Sequence, residues 1–320
     1  MLYKLKPAYK DYLWGGHRLE TEFGMKSGLP KTAEAWVLAA HKDGNSTFSI
    51  KGNQETTFAN LLETQDVEQL FGAKAEGQST CPLLIKFIDA KQNLSVQVHP
   101  NDAYAKAHEN SLGKTECWYI LDCDADAELI YGLKNEVTQE ELERAIQDDT
   151  LLELANIVKV HKGDLFFIPA GTLHAIGKGI LVAEIQQNSN ITYRVYDYNR
   201  LGTDGKPRQL HKKQAAEVIT KAPPPNSGKP LEALKTYEGY QKQLLTKCPL
   251  FQVERVIVQE KYTGVADKTS FVSLLSIDGC GKIETENESV SFQKGDSLFL
   301  SANSGPFTIT GQIELLETRL

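Results

Sequence analysis

Apolar residues in this chain come in runs of four to eight, and almost every run is fenced by Gly, Pro, Asn or Asp. Runs that short are brief for a helix but match the length of strands. Leu83–Ile88, Leu94–His99, Cys117–Leu121, Leu129–Leu133, Leu165–Pro169, Leu181–Gln186, Ile191–Tyr196 and Phe251–Val258 all read this way. The last begins with clean alternation, as expected of a strand with one wet face. Helical signals are few. Thr138-Gln-Glu-Glu-Leu-Glu-Arg-Ala-Ile opens on a Thr N-cap with Glu141 three residues later, a capping box. Two more helices are expected near Thr56–Glu63 and Lys212–Thr220. Many short strands with few helices predict a mainly β sandwich or barrel, not an alternating α/β fold.

The strands are organised twice. Lys162-Gly-Asp-Leu-Phe-Phe-Ile-Pro-Ala-Gly-Thr-Leu-His174 is echoed 132 residues later by Lys294-Gly-Asp-Ser-Leu-Phe-Leu-Ser-Ala-Asn-Ser-Gly-Pro306. Both read as a Lys-Gly-Asp turn, a buried strand and a second turn of small residues. Two copies of one jelly-roll β-sandwich unit are the natural expectation. Ala222-Pro-Pro-Pro-Asn-Ser-Gly-Lys-Pro230 carries four prolines in nine residues, which favours a stiff, extended connection. The expected units are therefore 1–221 and 231–320, joined by 222–230. His174 of the first copy faces Pro306 in the second, so a site built on that position exists only once.

A chain of 320 residues buries enough surface to fold without disulfides or structural metal. Its five cysteines are widely spaced with no C-x-x-C, which points to a reduced, cytoplasmic protein. Residues 1–13 lack the apolar core of a signal peptide, and no apolar run approaches membrane-spanning length. The formal net charge of −7, without long basic runs, argues against nucleic acid or an anionic membrane as partner. A small anionic substrate stays compatible, because cations can cluster locally. Monomer and homodimer are both left open.

The chemistry gathers on three segments. Ser95, Gln97 and His99 lie two apart on one strand, with Val96 and Val98 on its other face. Lys114 and Glu116 repeat the pattern, with Thr115 and Cys117 opposite, and His174 follows a strand on a tight turn. His99, Glu116 and His174, with Gln97 beside the first, form a nitrogen-and-oxygen ligand set that suits zinc or ferrous iron. Glu184, Asp197 or a metal-bound water could carry protons. Trp14, Trp36 and Trp118 read most simply as core aromatics. His17, His41, His108, His161 and His211 read as surface or capping residues, and Cys117 as a small buried side chain.

These motifs resemble a known family. Gln97-Val-His-Pro, Lys114-Thr-Glu116, Pro169-Ala-Gly-Thr-Leu-His174 and Arg194 within Ile191-Thr-Tyr-Arg-Val-Tyr-Asp197 are similar to type I phosphomannose isomerases. Leu84-Ile-Lys-Phe-Ile-Asp-Ala90, Trp14-Gly-Gly and Ala33-Glu-Ala-Trp36 fit the same family, over residues 1 to about 215. The resemblance implies a cupin-type core and a zinc-dependent aldose–ketose isomerase acting on mannose 6-phosphate and fructose 6-phosphate. It implies one zinc per chain on Gln97, His99, Glu116 and His174. Arg194 matches the active-site arginine, while Lys86, Ser95 and Lys114 match positions lining the sugar-phosphate pocket. Arg194 and Lys114 are the expected catalytic cations, with Lys86 and Lys114 expected to meet the phosphate. Gln54–Gly77 is too short for the added helical domain of long family members, so the chain resembles the short bacterial form. Two alternatives explain part of the pattern: an iron oxygenase using the two-histidine, one-carboxylate triad, and a non-catalytic sugar-phosphate sensor.

Overall fold

The computed structural model describes residues 1–49, 54–202, 204–225 and 228–320, so Asn226 and Ser227 of the proline-rich segment lie outside it. Among the described residues the fold is mainly β, with three large antiparallel sheets, two small two-stranded ones and short helices.

The first sandwich pairs a six-stranded sheet with a five-stranded one. The six strands run in spatial order Leu165–Ile168, Glu116–Cys123, Ile180–Gln187, Leu83–Ala90, Glu34–Leu38 and Ala8–Lys10. The five run Ala155–Lys159, Glu128–Leu133, His174–Ala175, Val96–Val98 and Tyr193–Tyr196. Each strand named from the sequence forms, although Leu94–His99 pairs only over Val96–Val98. Between the sheets Trp118, Ile120 and Val182 from one meet Leu129 and Tyr131 from the other.

The six-stranded sheet is covered on both faces. Its back presents Ala35, Val37, Ile85, Phe87, Cys117, Tyr119 and Ile185 to Phe251, Val253, Phe271, Phe299 and Leu316 of the second unit. That explains why Leu83–Ala90 and Ile180–Gln187 are buried at every position. A strand covered on both faces loses its apolar–polar alternation and reads as a continuous run. Each phenylalanine fully buried there contributes about 1.5–3 kcal/mol relative to exposure.

The second unit is one continuous nine-stranded sheet wrapped around its own core. Two long strands, Val272–Glu284 and Gly305–Arg319, serve both of its layers and pair with each other. A register shift between Ser276 and Asp278 bends the first of them, as bulges do. The sheet's outer strand is Leu2–Leu5, which pairs with Ser297–Leu300.

The sequence echo is a structural one. Leu165–Ile168 and Ser297–Leu300 are strands at the same offset. Gly163 and Gly295 take φ of 91° and 92°, a left-handed conformation that glycine reaches without strain. Asp164 Oδ2 accepts from the His161 amide and Asp296 Oδ2 from the Gln293 amide, each at 2.7 Å. After the strands Gly171 and Asn303 both have positive φ. The copies then part, at His174 in one and Pro306 in the other.

The three expected helices form as Phe58–Thr64, Gln139–Gln147 and Lys212–Val218. Thr138 closes its capping box with Glu141 in both directions. Asp102–Glu109, capped by Asn101, was not expected, and Asp102 Oδ1 accepts from the Gly113 amide at 2.8 Å, just before Lys114. The proline-rich segment lies along the first sandwich: Leu165 N–H donates to Gly228 O at 3.2 Å, and Pro224 stands against Gly132. None of the described helices is long and apolar enough to cross a membrane.

Candidate metal centre

Two cross-strand rows face each other across the first sandwich. In the six-stranded sheet the register aligns Trp36, Lys86, Glu184 and Trp118. In the five-stranded sheet it aligns Tyr131, His174, Gln97 and Arg194. Directly opposite residues project to the same face, so each row brings its side chains to one place. Glu34 and Glu116 lie two residues from Trp36 and Trp118 and share their face.

His99, Glu116 and His174 converge in the buried centre. His99 Nε2 and His174 Nε2 are 3.1 Å apart. Glu116 places Oε1 3.4 Å from His174 and Oε2 3.6 Å from His99. Donor atoms about 2.1 Å from a tetrahedral ion are themselves about 3.4 Å apart, so the spacing matches such an ion. The donors are also in the correct state. His174 Nδ1 donates to the Thr172 carbonyl at 2.8 Å, which leaves Nε2 as a bare lone pair. Burial lowers the pKa of both imidazoles, His174 to about 3, and keeps them neutral. Burial pushes the Glu116 carboxyl up, with Lys114 offsetting part of the effect. Among the described residues Glu116 Oε1 has no hydrogen-bond partner. Two neutral imidazoles and an undercompensated carboxylate fit a divalent cation. Gln97 sits beside His174 in the row and lines the adjoining cavity.

That cavity, about 300 Å³, is lined at its inner end by Lys86, Ser95, Lys114, Glu34 and Glu184, and at its outer end by Arg194, Arg208 and His211. Its size suits a small ligand. The inner lysines are already matched. Lys86 Nζ lies 3.1 Å from Glu184 and 3.7 Å from Glu34. Lys114 Nζ lies 2.9 Å from Glu116 Oε2 and 3.0 Å from His99 Nε2. Trp36 and Trp118 are buried as expected, and they also donate their indole N–H to Glu34 at 2.5 Å and to Glu184 at 2.9 Å. Burial alone would raise Glu184, but the charges of Lys86 and Lys114 and the hydrogen bonds of Lys86 and Trp118 hold it well below the usual carboxylate range.

At the outer end the balance reverses. Asp197 accepts two bonds from Arg208, at 2.5 and 2.6 Å, and another from Arg200. It is pinned there by both arginines. Among the described residues Arg194 has no carboxylate partner: Nη1 donates to Gln209 O at 3.0 Å, and no acceptor meets its buried Nε–H.

Sequence reasoning missed Glu34, Arg208 and His211 as cavity residues. Glu34 stood inside the Ala33-Glu-Ala-Trp36 motif, two residues before a tryptophan on the same strand face. Arg208 and His211 had no local signal, since a loop brings them in. His211 does precede a helix, as a capping residue would, but its side chain caps nothing and faces the cavity.

Comparison with known proteins agrees with this geometry. Residues 2–142 match the family model "Phosphomannose isomerase type I, catalytic domain", and residues 241–319 match "Mannose-6-phosphate isomerase, cupin domain". A mannose-6-phosphate isomerase of Bacillus subtilis is 41% identical, the match covering 98% of both chains. A crystal structure of the mannose 6-phosphate isomerase from Bacillus subtilis superposes with a TM-score of 0.91 at 35% identity, over 100% of this chain and 99% of that one. A zinc-bound mannose 6-phosphate isomerase shares the fold at 18% identity, with a TM-score of 0.79 over 99% of this chain and 98% of that one. With a candidate metal triad set in a double cupin-type fold and full-length relatives at this identity, the chain belongs to the type I phosphomannose isomerase family of enzymes.

Proposed function

We propose that this chain interconverts mannose 6-phosphate and fructose 6-phosphate as a zinc-dependent isomerase, with one ion per chain held by His99, Glu116, His174 and Gln97. The observation that carries the reading is the polarity of the cavity. Gln97 and Lys114, which adjoin the candidate metal triad, line one end, and Arg194 and Arg208 line the other, where Asp197 pairs with Arg208. A sugar phosphate has matching ends, a carbonyl and a dianion. The full-length Bacillus subtilis relative bears the name of that activity, and a solved relative is zinc-bound.

Isomerisation moves a proton between C2 and C1 through an enediol, with charge developing on the two oxygens. Bound zinc would supply Lewis-acid stabilisation of that charge, worth several kcal/mol. Glu184 takes the proton from one carbon and returns it to the other. Glu184 lines the cavity, Trp118 donates to its Oε2, and Lys86, 3.1 Å from its Oε1, keeps it ionised. Lys114 and Ser95 donate to the sugar oxygens. Arg194, beside Gln97 in the row, offers its free Nε–H to the substrate and keeps its charge at any working pH. Because Lys86 and Lys114 are matched by carboxylates, the phosphate goes to the Arg194–Arg208 end. Residues 1–221 thus hold the chemistry, and 231–320 back the sheet without a metal site. A phosphorylated substrate, too polar to cross a bilayer, places the enzyme in the cytoplasm.

The test is a coupled assay for fructose 6-phosphate formed from mannose 6-phosphate, before chelation, after it, and after zinc is restored. Activity that disappears with the chelator and returns with zinc is the expected result. A folded, zinc-loaded protein with no turnover would overturn the assignment in favour of another metal-dependent cupin reaction.

A further inference from the structure

We infer that His211 is a substrate-contacting residue, whose Nε2–H donates to the phosphate beside Arg194 and Arg208; this rests on the function proposed above. The tautomer is fixed by a main-chain bond. Arg194 N–H donates to His211 Nδ1 at 3.2 Å, and a backbone amide can only donate, so Nδ1 is bare and Nε2 carries the hydrogen. The reverse bond, His211 N–H to Arg194 O at 2.7 Å, makes a two-point clamp. It ties the strand Tyr193–Tyr196 to the start of the helix Lys212–Val218.

The ring is therefore oriented by the same residue whose guanidinium faces the ligand. Tyr193 packs near it, with ring centroids 6.0 Å apart. The imidazole lines the cavity, and the described residues give Nε2–H no acceptor. Burial and the Arg194 charge lower its pKa and favour the neutral form. A neutral donor is useful at this point. It adds a hydrogen bond to an oxyanion without adding to the repulsion between Arg194 and Arg208, and hydrogen bonds to charged groups are the stronger class.

Three variants separate this role from a structural one. His211→Asn places an acceptor near Nδ1, keeps the bond to Arg194 N–H, and has no donor at the Nε2 position. His211→Gln carries an amide N–H out to the Nε2 position. His211→Ala has neither. For mannose 6-phosphate, Asn and Ala are expected to raise KM by about 10- to 100-fold, the range for a lost hydrogen bond to a charged partner. Their kcat should stay within about threefold and their zinc content should not change, while Gln recovers most of the loss. Inorganic phosphate, measured by calorimetry, should weaken in step, and that measurement needs no turnover. If the wild type binds phosphate but does not isomerise the sugar, the function fails while the His211 contact is still judged by the variants. A wild-type KM and phosphate affinity in His211→Asn, or loss of kcat or zinc in place of KM, would overturn the inference.

Discussion

His174→Ala is expected to lose zinc and activity together, with metal affinity falling by more than about 100-fold. Removing even a hydrogen-bond partner of a metal ligand costs about 10- to 100-fold in affinity, and His174 supplies a ligand atom directly. The Thr172 carbonyl holds its ring so that Nε2 faces His99 and Glu116, and alanine leaves a gap in a fully buried site. The variant should also lose a linkage effect. Zinc at 100 times its dissociation constant stabilises the wild type by about 2.7 kcal/mol, because it binds only the folded chain. Melting curves with and without zinc should therefore diverge for the wild type and coincide for the variant. Metal analysis showing full zinc occupancy in an active His174→Ala would exclude the triad as the centre.

Glu184→Gln is expected to keep its zinc and lose about 10²- to 10⁴-fold in kcat, the span for removing a general base. Lys86→Met provides the complementary arm with a pH signature. Burial is the largest influence on Glu184 and acts upward, while Lys86 is the largest of those acting downward. Without Lys86 the carboxyl rises, and the acid limb of the kcat profile moves to higher pH. In the wild type that limb lies well below neutral. An unmoved acid limb in Lys86→Met, or a nearly active Glu184→Gln, would remove Glu184 from the proton-transfer step.

The parts of this molecule legible in the sequence are those fixed by short-range periodicity. Ser95, Gln97 and His99 read as one polar face because a strand repeats every two residues and its valines take the other side. The Lys-Gly-Asp echo was visible because both turns need a glycine at positive φ and an aspartate folding back on the turn. Lys86 was harder to place. Its strand is buried on both faces, so the alternation that would have displayed it is missing. Its carboxylate partners belong to strands about 50 and 100 residues away in sequence. Glu34, Arg208 and His211 belong to the site only through tertiary pairing, which no local window contains. Asp102–Glu109 was missed because its cap, Asn101, follows Pro100 and reads as part of a turn.

The pairing of Leu2–Leu5 with Ser297–Leu300 also sets a schedule for synthesis. Leu2–Leu5 cannot find its partner until the intervening chain of nearly 300 residues has been made, about 15 to 60 s later at 5–20 residues per second. Through that interval the back of the six-stranded sheet waits for Phe271, Phe299 and Leu316, which are translated later. The part bearing His99, Glu116 and His174 is thus made before the strands that cover it. A nascent chain halted at the proline-rich segment would carry the whole candidate metal triad but leave an apolar sheet face exposed to water.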